Sequence, residues 1–368
     1  MQITAINLWQ IDLPLLHPFG SSEAMMVAKP ALILELTDEL GNHGYGECSA
    51  FATPFYTAEF RAGAWAFLTQ LVFPKMINHF YTTPADFDDQ FTGFRGNEMA
   101  KAAVNCALWD LSAKRQGIPL AQALGGVREK AEAGIAIGLQ TDPTTLVRKV
   151  QTAVNEGYRR VKIKIKPGQD FAYLKAVRDQ FPDLMLMADA NSAYTLADLE
   201  HLRQFDQLDL LMIEQPLAAG DLVEHAELQA QIKTPICLDE SIVTLADVKA
   251  MVKLGAGKVI NLKIARVGGL SQAKAMQAYA KQVGIDCWVG GMVDTGIGRA
   301  SNLALATLPG ITLANDLSAS ERFFAADIIK PPVTLDGTFV KVPDQPGIGY
   351  QINWPQLQKT TTRKFELK

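Results

Sequence analysis

Lys162, Lys164 and Lys166 alternate with apolar β-branched residues in Val161-Lys162-Ile163-Lys164-Ile165-Lys166. An extended backbone puts the three amines on one face. Taken alone, the pattern is also that of an edge strand guarded by lysines. The later residues point elsewhere. Asp189, Glu214 and Asp239 follow Lys164 at successive steps of 25 residues, and Lys263 comes 24 after that. Each closes an apolar run, at 184–188, 210–213, 235–238 and 259–262. Three carboxylates held together repel one another unless a cation neutralises them. An all-oxygen donor set without histidine favours Mg2+, with Mn2+ or another divalent cation as a substitute. The plainer alternative is that one or two of these acids only pair with neighbouring lysines. With the ion in place, Lys164 and Lys263 would lie on opposite sides of it. A lysine acts as a base only when its pKa falls from about 10.4, and both the ion and adjacent Lys162 push Lys164 that way. The chemistry is removal of the proton next to a carboxylate, through an enediolate. A base on each face gives racemisation, whereas one base suffices for syn elimination of water.

A strand of about 5 residues, a helix of about 11 and two loops of about 4 add up to such a step. The chain therefore repeats a βα unit, with an ionisable residue at each strand end. In a (β/α)8 barrel those ends form one ring, where active sites lie. The first barrel strand is expected at 135–138, its helix at 143–156, the seventh strand at 285–289 and a short last one at 311–314. Eight such units need roughly 200 residues, so a chain of 368 has room for a second domain. Segments 3–15, 31–36 and 44–47 read as an antiparallel meander, and 58–71 and 98–116 as helices. Between the first two strands, 17–22 reads as a loop long enough to act as a lid. Trp65 and Trp109 read as core. A hairpin over Asp336-Gly337, spanning 333–340, is expected to return to the first domain. The resulting division is 1–125, 126–320 and 321–368.

Composition narrows the classes. A hydrophobic fraction of 48% with 20% charged residues is ordinary for a globular protein, and a net charge of −4 gives no footprint for nucleic acid. The basic run Thr362-Arg363-Lys364 reads as a solvated tail. Cys48, Cys106, Cys237 and Cys287 form no paired motif, which argues against a disulfide framework or zinc site and for a reducing cytoplasm. No signal segment or membrane span is expected. None of the histidines (17, 43, 79, 201 and 225) falls at a barrel strand end. The glycine-rich stretch 290–298 lacks dinucleotide-binding spacing. A Schiff-base lysine enzyme or a non-catalytic binding protein would leave the three acids without a role.

These residues resemble the enolase superfamily, for which a lysine or histidine base with Mg2+ is known. The closer resemblance is to the o-succinylbenzoate synthase / N-succinylamino acid racemase family in its muconate-lactonising subgroup. It rests on Lys162-Ile163-Lys164-Ile165-Lys166-Pro167-Gly168, Asp189-Ala190-Asn191, Ile213-Glu214-Gln215-Pro216-Leu217 and Thr234-Pro235-Ile236-Cys237-Leu238-Asp239-Glu240-Ser241. Arg266-Val267-Gly268-Gly269 and Gly290-Gly291-Met292 extend it, and it covers essentially the whole chain. The resemblance implies an α+β cap domain closing a modified TIM barrel, (β/α)7β. It implies metal binding by Asp189, Glu214 and Asp239, acid/base roles for Lys164 and Lys263, and tuning of Lys164 by Lys162. Asn191 and Glu240 would support the ligands from behind, while Phe19, Tyr56, Gly291 and Met292 would shape the pocket. Arg266 matches an arginine associated with racemising members. The implied partner is a small carboxylate substrate, and a homo-oligomer is usual. Dipeptide epimerases and muconate-type cycloisomerases share the two lysines and stay open as alternatives. Lys166 stands where an acid is common, and Asp294 where a Glu is usual, so both are expected to alter the pocket.

Overall fold

A computed structural model of the chain describes residues 1–20 and 25–368. Three strands, β1 (Ile3–Gly20), β2 (Met25–Asp38) and β3 (His43–Cys48), pair antiparallel in that order. β1 continues through 17–20, where the sequence reads as a loop. Pro14 and Pro18 conceal this because neither can donate to a ladder. The pairing with β2 breaks after Pro14 and resumes at Phe19↔Met26. The side chain of Phe19 lies outside the described residues, as does the rest of the expected lid at 21–22.

The free edge of β1 takes a fourth strand, Thr361–Leu367, antiparallel from Ile6↔Leu367 to Ile11↔Thr361. The solvated tail is therefore a strand. Its run of charged side chains hides it from hydrophobic periodicity, yet Arg363 lies 4.2 Å from the Trp65 ring and Lys364 lies 5.6 Å from the Trp9 ring. The helix Glu98–Gln116 crosses this sheet and buries Ala103, Ala107, Leu108 and Leu111. Close approach needs glycine on β3: a Cβ at Gly46 would stand 1.9 Å from the Ala103 carbonyl oxygen. The Glu59 carboxylate caps this helix, accepting from Met99 N at 2.7 Å and Ala100 N at 2.9 Å. The helix expected over 58–71 starts at Arg61 and widens into π-helical turns over Phe67–Val72. These precede Pro74, which has no N–H to continue an α ladder. Trp65 is buried, whereas Trp109 is only partly so and donates its indole N–H to Ser271 Oγ at 2.8 Å.

After β4 (Lys130–Glu132) come seven parallel strands, neighbours in chain order: β5 (Ile135–Ile137), β6 (Arg160–Lys164), β7 (Met185–Asp189), β8 (Ile213–Glu214), β9 (Ile236–Leu238), β10 (Val259–Leu262) and β11 (Asp286–Val289). Residues 311–316 close the ring through parallel bridges Cys287↔Ile311 and Ala133↔Asn315. The Asn315 side chain joins both rims, accepting from Val289 N at 2.8 Å and donating to Glu132 O at 3.1 Å. The result is a (β/α)7β barrel, its eighth segment held by single bridges. Val161, Ile163 and Ile165 pack with helix residues such as Leu146, Val150 and Leu174 in one continuous core. Met187, Met212, Cys237, Val259 and Trp288 form a separate cluster contributed by successive strands.

The expected hairpin at 333–340 reduces to a turn with one bridge, Asp336↔Phe339. Pro331 and Pro332, just before it, cannot donate to a ladder. Phe339–Lys341 pairs with β4 and not with the cap sheet. No helix among the described residues is long and apolar enough to cross a membrane.

Candidate active site

Parallel strands returned by external helices turn equal sequence steps into equal heights. In β6 to β8 the register sets Lys164 opposite Asp189, and Asp189 opposite Glu214. Asp239 and Lys263 each follow the last residue of their strands, β9 and β10. All five sit at C-terminal strand ends, the rim where barrel enzymes carry their chemistry.

The amines meet the acids directly. Lys164 Nζ is 3.0 Å from Asp189 Oδ2 and also bonds Asn191 Oδ1. Lys162, two residues earlier and on the same face, reaches Glu214 at 3.0 Å, Asp189 at 3.5 Å and Asp316 at 2.7 Å. Lys263 Nζ is 2.8 Å from Asp239 Oδ2. The Tyr56 hydroxyl, reaching in from the cap, accepts from Lys263 at 3.0 Å and from Arg266 at 2.9 Å. Arg266 also bonds Asp239 Oδ1 and donates to Asn261 O at 2.7 Å. Asn191, in a left-handed conformation at φ +43°, donates to Glu240 Oε1 at 3.0 Å.

Lys162, Lys164, Asp189, Asn191, Glu240, Lys263 and Tyr56 open into a cavity of about 370 Å³, with Glu214, Asp239 and Arg266 behind its lining. Met26, Phe51, Phe55 and Tyr56 form its cap side, and Lys162, Lys164, Asp189, Lys263, Gly291 and Met292 lie opposite. Lys166 is exposed and off this cavity, its backbone bridged to Gln169. Asp294 lies behind Met292, accepting from its N–H at 2.8 Å. A larger groove, about 940 Å³, runs outside the barrel along β5 and the Pro143–Asn155 helix and reaches none of these lysines.

Several groups escaped the sequence reading. Asp316, in the closing segment, pairs with Lys162 and, at 2.9 Å, with buried Arg160. Asn261 donates to Glu214 Oε1 at 2.7 Å. Gln215 Oε1 accepts from the N–H groups of Asp239 at 3.0 Å and Ser241 at 3.2 Å, fixing the strand end that carries Asp239. Asn261 stands two residues before Lys263, the same alternation that marks Lys162 and Lys164. That was a usable signal. Asp316 obeys no repeat.

Burial and charge act against each other here. Burial raises the Asp239 carboxyl, but Arg266 and Lys263 outweigh it and hold the pKa at about 2. Asp189 is likewise held low, with burial outweighed by Lys164 and Lys162. Burial and the neighbouring Asp189 lift Glu214 to about 8, since Lys162 is shared among three acids and compensates only in part. Burial and Asp239 lift Glu240 to about 7. Burial pushes Lys263 down, yet Asp239 and Tyr56 hold it well above the ordinary lysine value. In the protein alone, therefore, the Lys263 amine is not shifted toward the free base.

Each of the three acids is paired with at least one lysine. Among the described residues, no three His, Cys, Asp or Glu side chains as placed form a group set to hold a metal ion. The donor chemistry nevertheless fits a hard divalent cation. Beside the three carboxylates, Glu240 Oε2 and Asn261 Oδ1 are buried acceptors without a hydrogen-bond partner among the described residues, a surplus of oxygen suited to such an ion.

Residues 5–125 match the N-terminal domain of mandelate racemase / muconate lactonizing enzymes, and 145–356 match the enolase C-terminal domain-like family. An o-succinylbenzoate synthase from Geobacillus kaustophilus is 43% identical across 98% of this chain and 96% of its own length. An N-succinylamino acid racemase from Thermus thermophilus is 42% identical across 98% of each chain. The crystal structure of an enolase-superfamily member from Listeria innocua is similar with a TM-score of 0.98 and 43% identity, covering 100% of this chain and 99% of the other.

Proposed function

Since the chain belongs to the o-succinylbenzoate synthase / N-succinylamino acid racemase family of the enolase superfamily, we propose that it removes the proton next to a substrate carboxylate, acting as synthase, racemase or both. The observation that carries this reading is the pair of amines, Lys164 and Lys263, on strands four apart around one ring and facing one cavity. Asp189, Glu214 and Asp239 would hold a divalent cation, Mg2+ by their hard oxygen donors. Bound there, it supplies the positive charge against which the deprotonated substrate is stabilised.

In the racemase reaction one lysine takes the α-proton from one face and the other delivers a proton to the opposite face, inverting the centre. In the synthase reaction Lys164 takes the ring proton next to the carboxylate and passes it to the departing hydroxyl on the same face. Water is lost and an aromatic ring remains. Lys263 then serves by its charge alone. Asp189 and Asn191 hold Lys164 in place, and Lys162 shares Asp189 with it. Tyr56 and Arg266 position Lys263, directly and through Asp239, on the second face that racemisation requires.

The test follows the α-proton of N-succinyl-L-phenylalanine by 1H NMR in D2O with Mg2+, beside absorbance-detected formation of o-succinylbenzoate. Exchange with racemisation is expected in the wild type. Lys164→Ala and Lys263→Ala are each expected to lower it by at least about 10²-fold, the lower end of what a positioned acid or base contributes. Exchange that survives in both variants would remove the two-lysine scheme. Dehydration without exchange would leave a dedicated synthase.

A further inference from the structure

Val293 lines the cavity with φ at +56°. For a β-branched residue this left-handed conformation is strained, so its neighbours must hold it. Met292 N donates to Asp294 Oδ2 at 2.8 Å, and Met292 O accepts from Lys29 Nζ at 2.9 Å. Asp294 also accepts from Ser49 Oγ and Asn302 Nδ2, each at 2.9 Å, while its carbonyl accepts from Arg299 Nη2 at 2.9 Å. Lys29 lies on β2 and Ser49 follows β3, so two of the groups fixing this barrel turn come from the cap.

Lys29 is the less expected of the two. Its side chain is 0% exposed, and the nearest carboxylate oxygen, on Glu47, is 3.9 Å away, beyond hydrogen-bond range. A buried amine needs a close acceptor, and its shortest contact is a backbone carbonyl of the pocket wall. The same Nζ lies 5.1 Å from the centroid of the Phe51 ring, a second lining residue. Lys29 therefore touches two walls of the cavity without lining it.

We propose that Lys29 is a positioning residue that ties the cap sheet to the strained Met292-Val293-Asp294 turn and thereby sets which substrate side chains the pocket accepts. The selected feature is the bulk presented to Met292 and Phe51. As a statement about substrates, this rests on the proton-abstraction chemistry proposed above. As a statement about the turn, it stands alone.

The experiment compares Lys29→Met, which keeps length without the polar head, and Lys29→Arg, which keeps a donor. The first readout is the kcat/KM ratio for α-proton exchange between N-succinylalanine and N-succinylphenylalanine. Lys29→Met is expected to change this ratio by about tenfold or more, chiefly through KM, and Lys29→Arg to keep it within about threefold. Equal losses on both substrates would make Lys29 merely structural and overturn the proposal. The second readout needs no activity: 13C-methyl methionine NMR, with the Met292 signal assigned by Met292→Leu in both the wild type and the Lys29→Met background, which separates it from the methionine that Lys29→Met adds. Lys29→Met is expected to shift or broaden that signal and leave methionines remote from the turn in place. An unmoved Met292 signal overturns the proposal whatever the enzyme catalyses, whereas a wild type inert on both substrates with a moved signal counts against the chemistry alone. Should Lys29→Met fail to accumulate, Ser49→Ala cuts the other cap contact. It is expected to move the same signal and ratio in the same direction, and no movement in either would overturn the proposal.

Discussion

Asp316 carries one charge that two buried cations share, Arg160 at 2.9 Å and Lys162 at 2.7 Å. Both cations also lie near the Trp288 ring, so the acid is what keeps them together. Breaking a buried pair from one side leaves an uncompensated charge, typically costing about 3–5 kcal/mol. Asp316→Asn is therefore expected to lower the unfolding free energy measured in urea by that order, and adding Arg160→Met to recover part of it. Additive losses in the double variant would show that the three charges are not coupled. Asp316 also marks where the sequence stops being readable. Lys164, Asp189, Glu214, Asp239 and Lys263 could be found because each ends one turn of a regular unit. The closing segment follows the Gly296–Ala306 helix by an irregular path, so its acid falls out of step with the others. Asn261 was overlooked although it alternates with Lys263 as Lys162 does with Lys164, because its amide is a neutral group whose partner, Glu214, only the fold reveals.

Among the elements, the Glu98–Gln116 helix was readable to the residue, because alanine and leucine recur at helical spacing and Gly117 supplies a left-handed stop. What the sequence withheld was how it is held at its start. Its N-cap residue, Asn97, makes no side-chain cap, and the distant Glu59 carboxylate does so instead. Burial lifts that carboxyl from 4.5 to about 7. The folded state then holds the proton more tightly than the unfolded chain, so the contribution of Glu59 to stability falls as pH rises from 4.5 to about 7 and stays flat above. Glu59→Gln cannot titrate. Its melting temperature is expected to gain on the wild type across that window, by the equivalent of up to about 3 kcal/mol. A difference independent of pH would mean that the carboxylate is charged throughout. The extended β1 was missed for a related reason: prolines that deny hydrogen bonds conceal strands as effectively as they end helices.

For the molecule as a whole, the barrel supplies the acids and lysines, while the cap supplies Tyr56, Phe51 and, through Lys29, the shape of the turn at Val293. The division into a ring of charge and an apolar cover was legible in outline, since a 25-residue period does not reach the first third of the chain. The role of the last strand was not, because Thr361–Leu367 shows neither apolar alternation nor turn signals. Removing it is expected to leave β1 with an unpaired edge and to uncover Trp9 and Trp65. Truncation before Thr361 should therefore redden tryptophan emission, lower the melting temperature and speed proteolysis within the cap more than within the barrel. Equal effects on both would show that the cap has no separate dependence on this strand.

The pairing of Ile6 with Leu367 also bears on time. A ribosome makes β1 first and its outer neighbour only after every barrel strand has emerged. During synthesis the cap sheet waits with one side open, while the ring of acids and lysines can already assemble from sequential, local units. Such long-separation pairing is slow to form. The nascent protein would thus possess its reactive groups before it possesses a finished cover for them, and competence would arrive in one late step, when the newest segment finds the oldest.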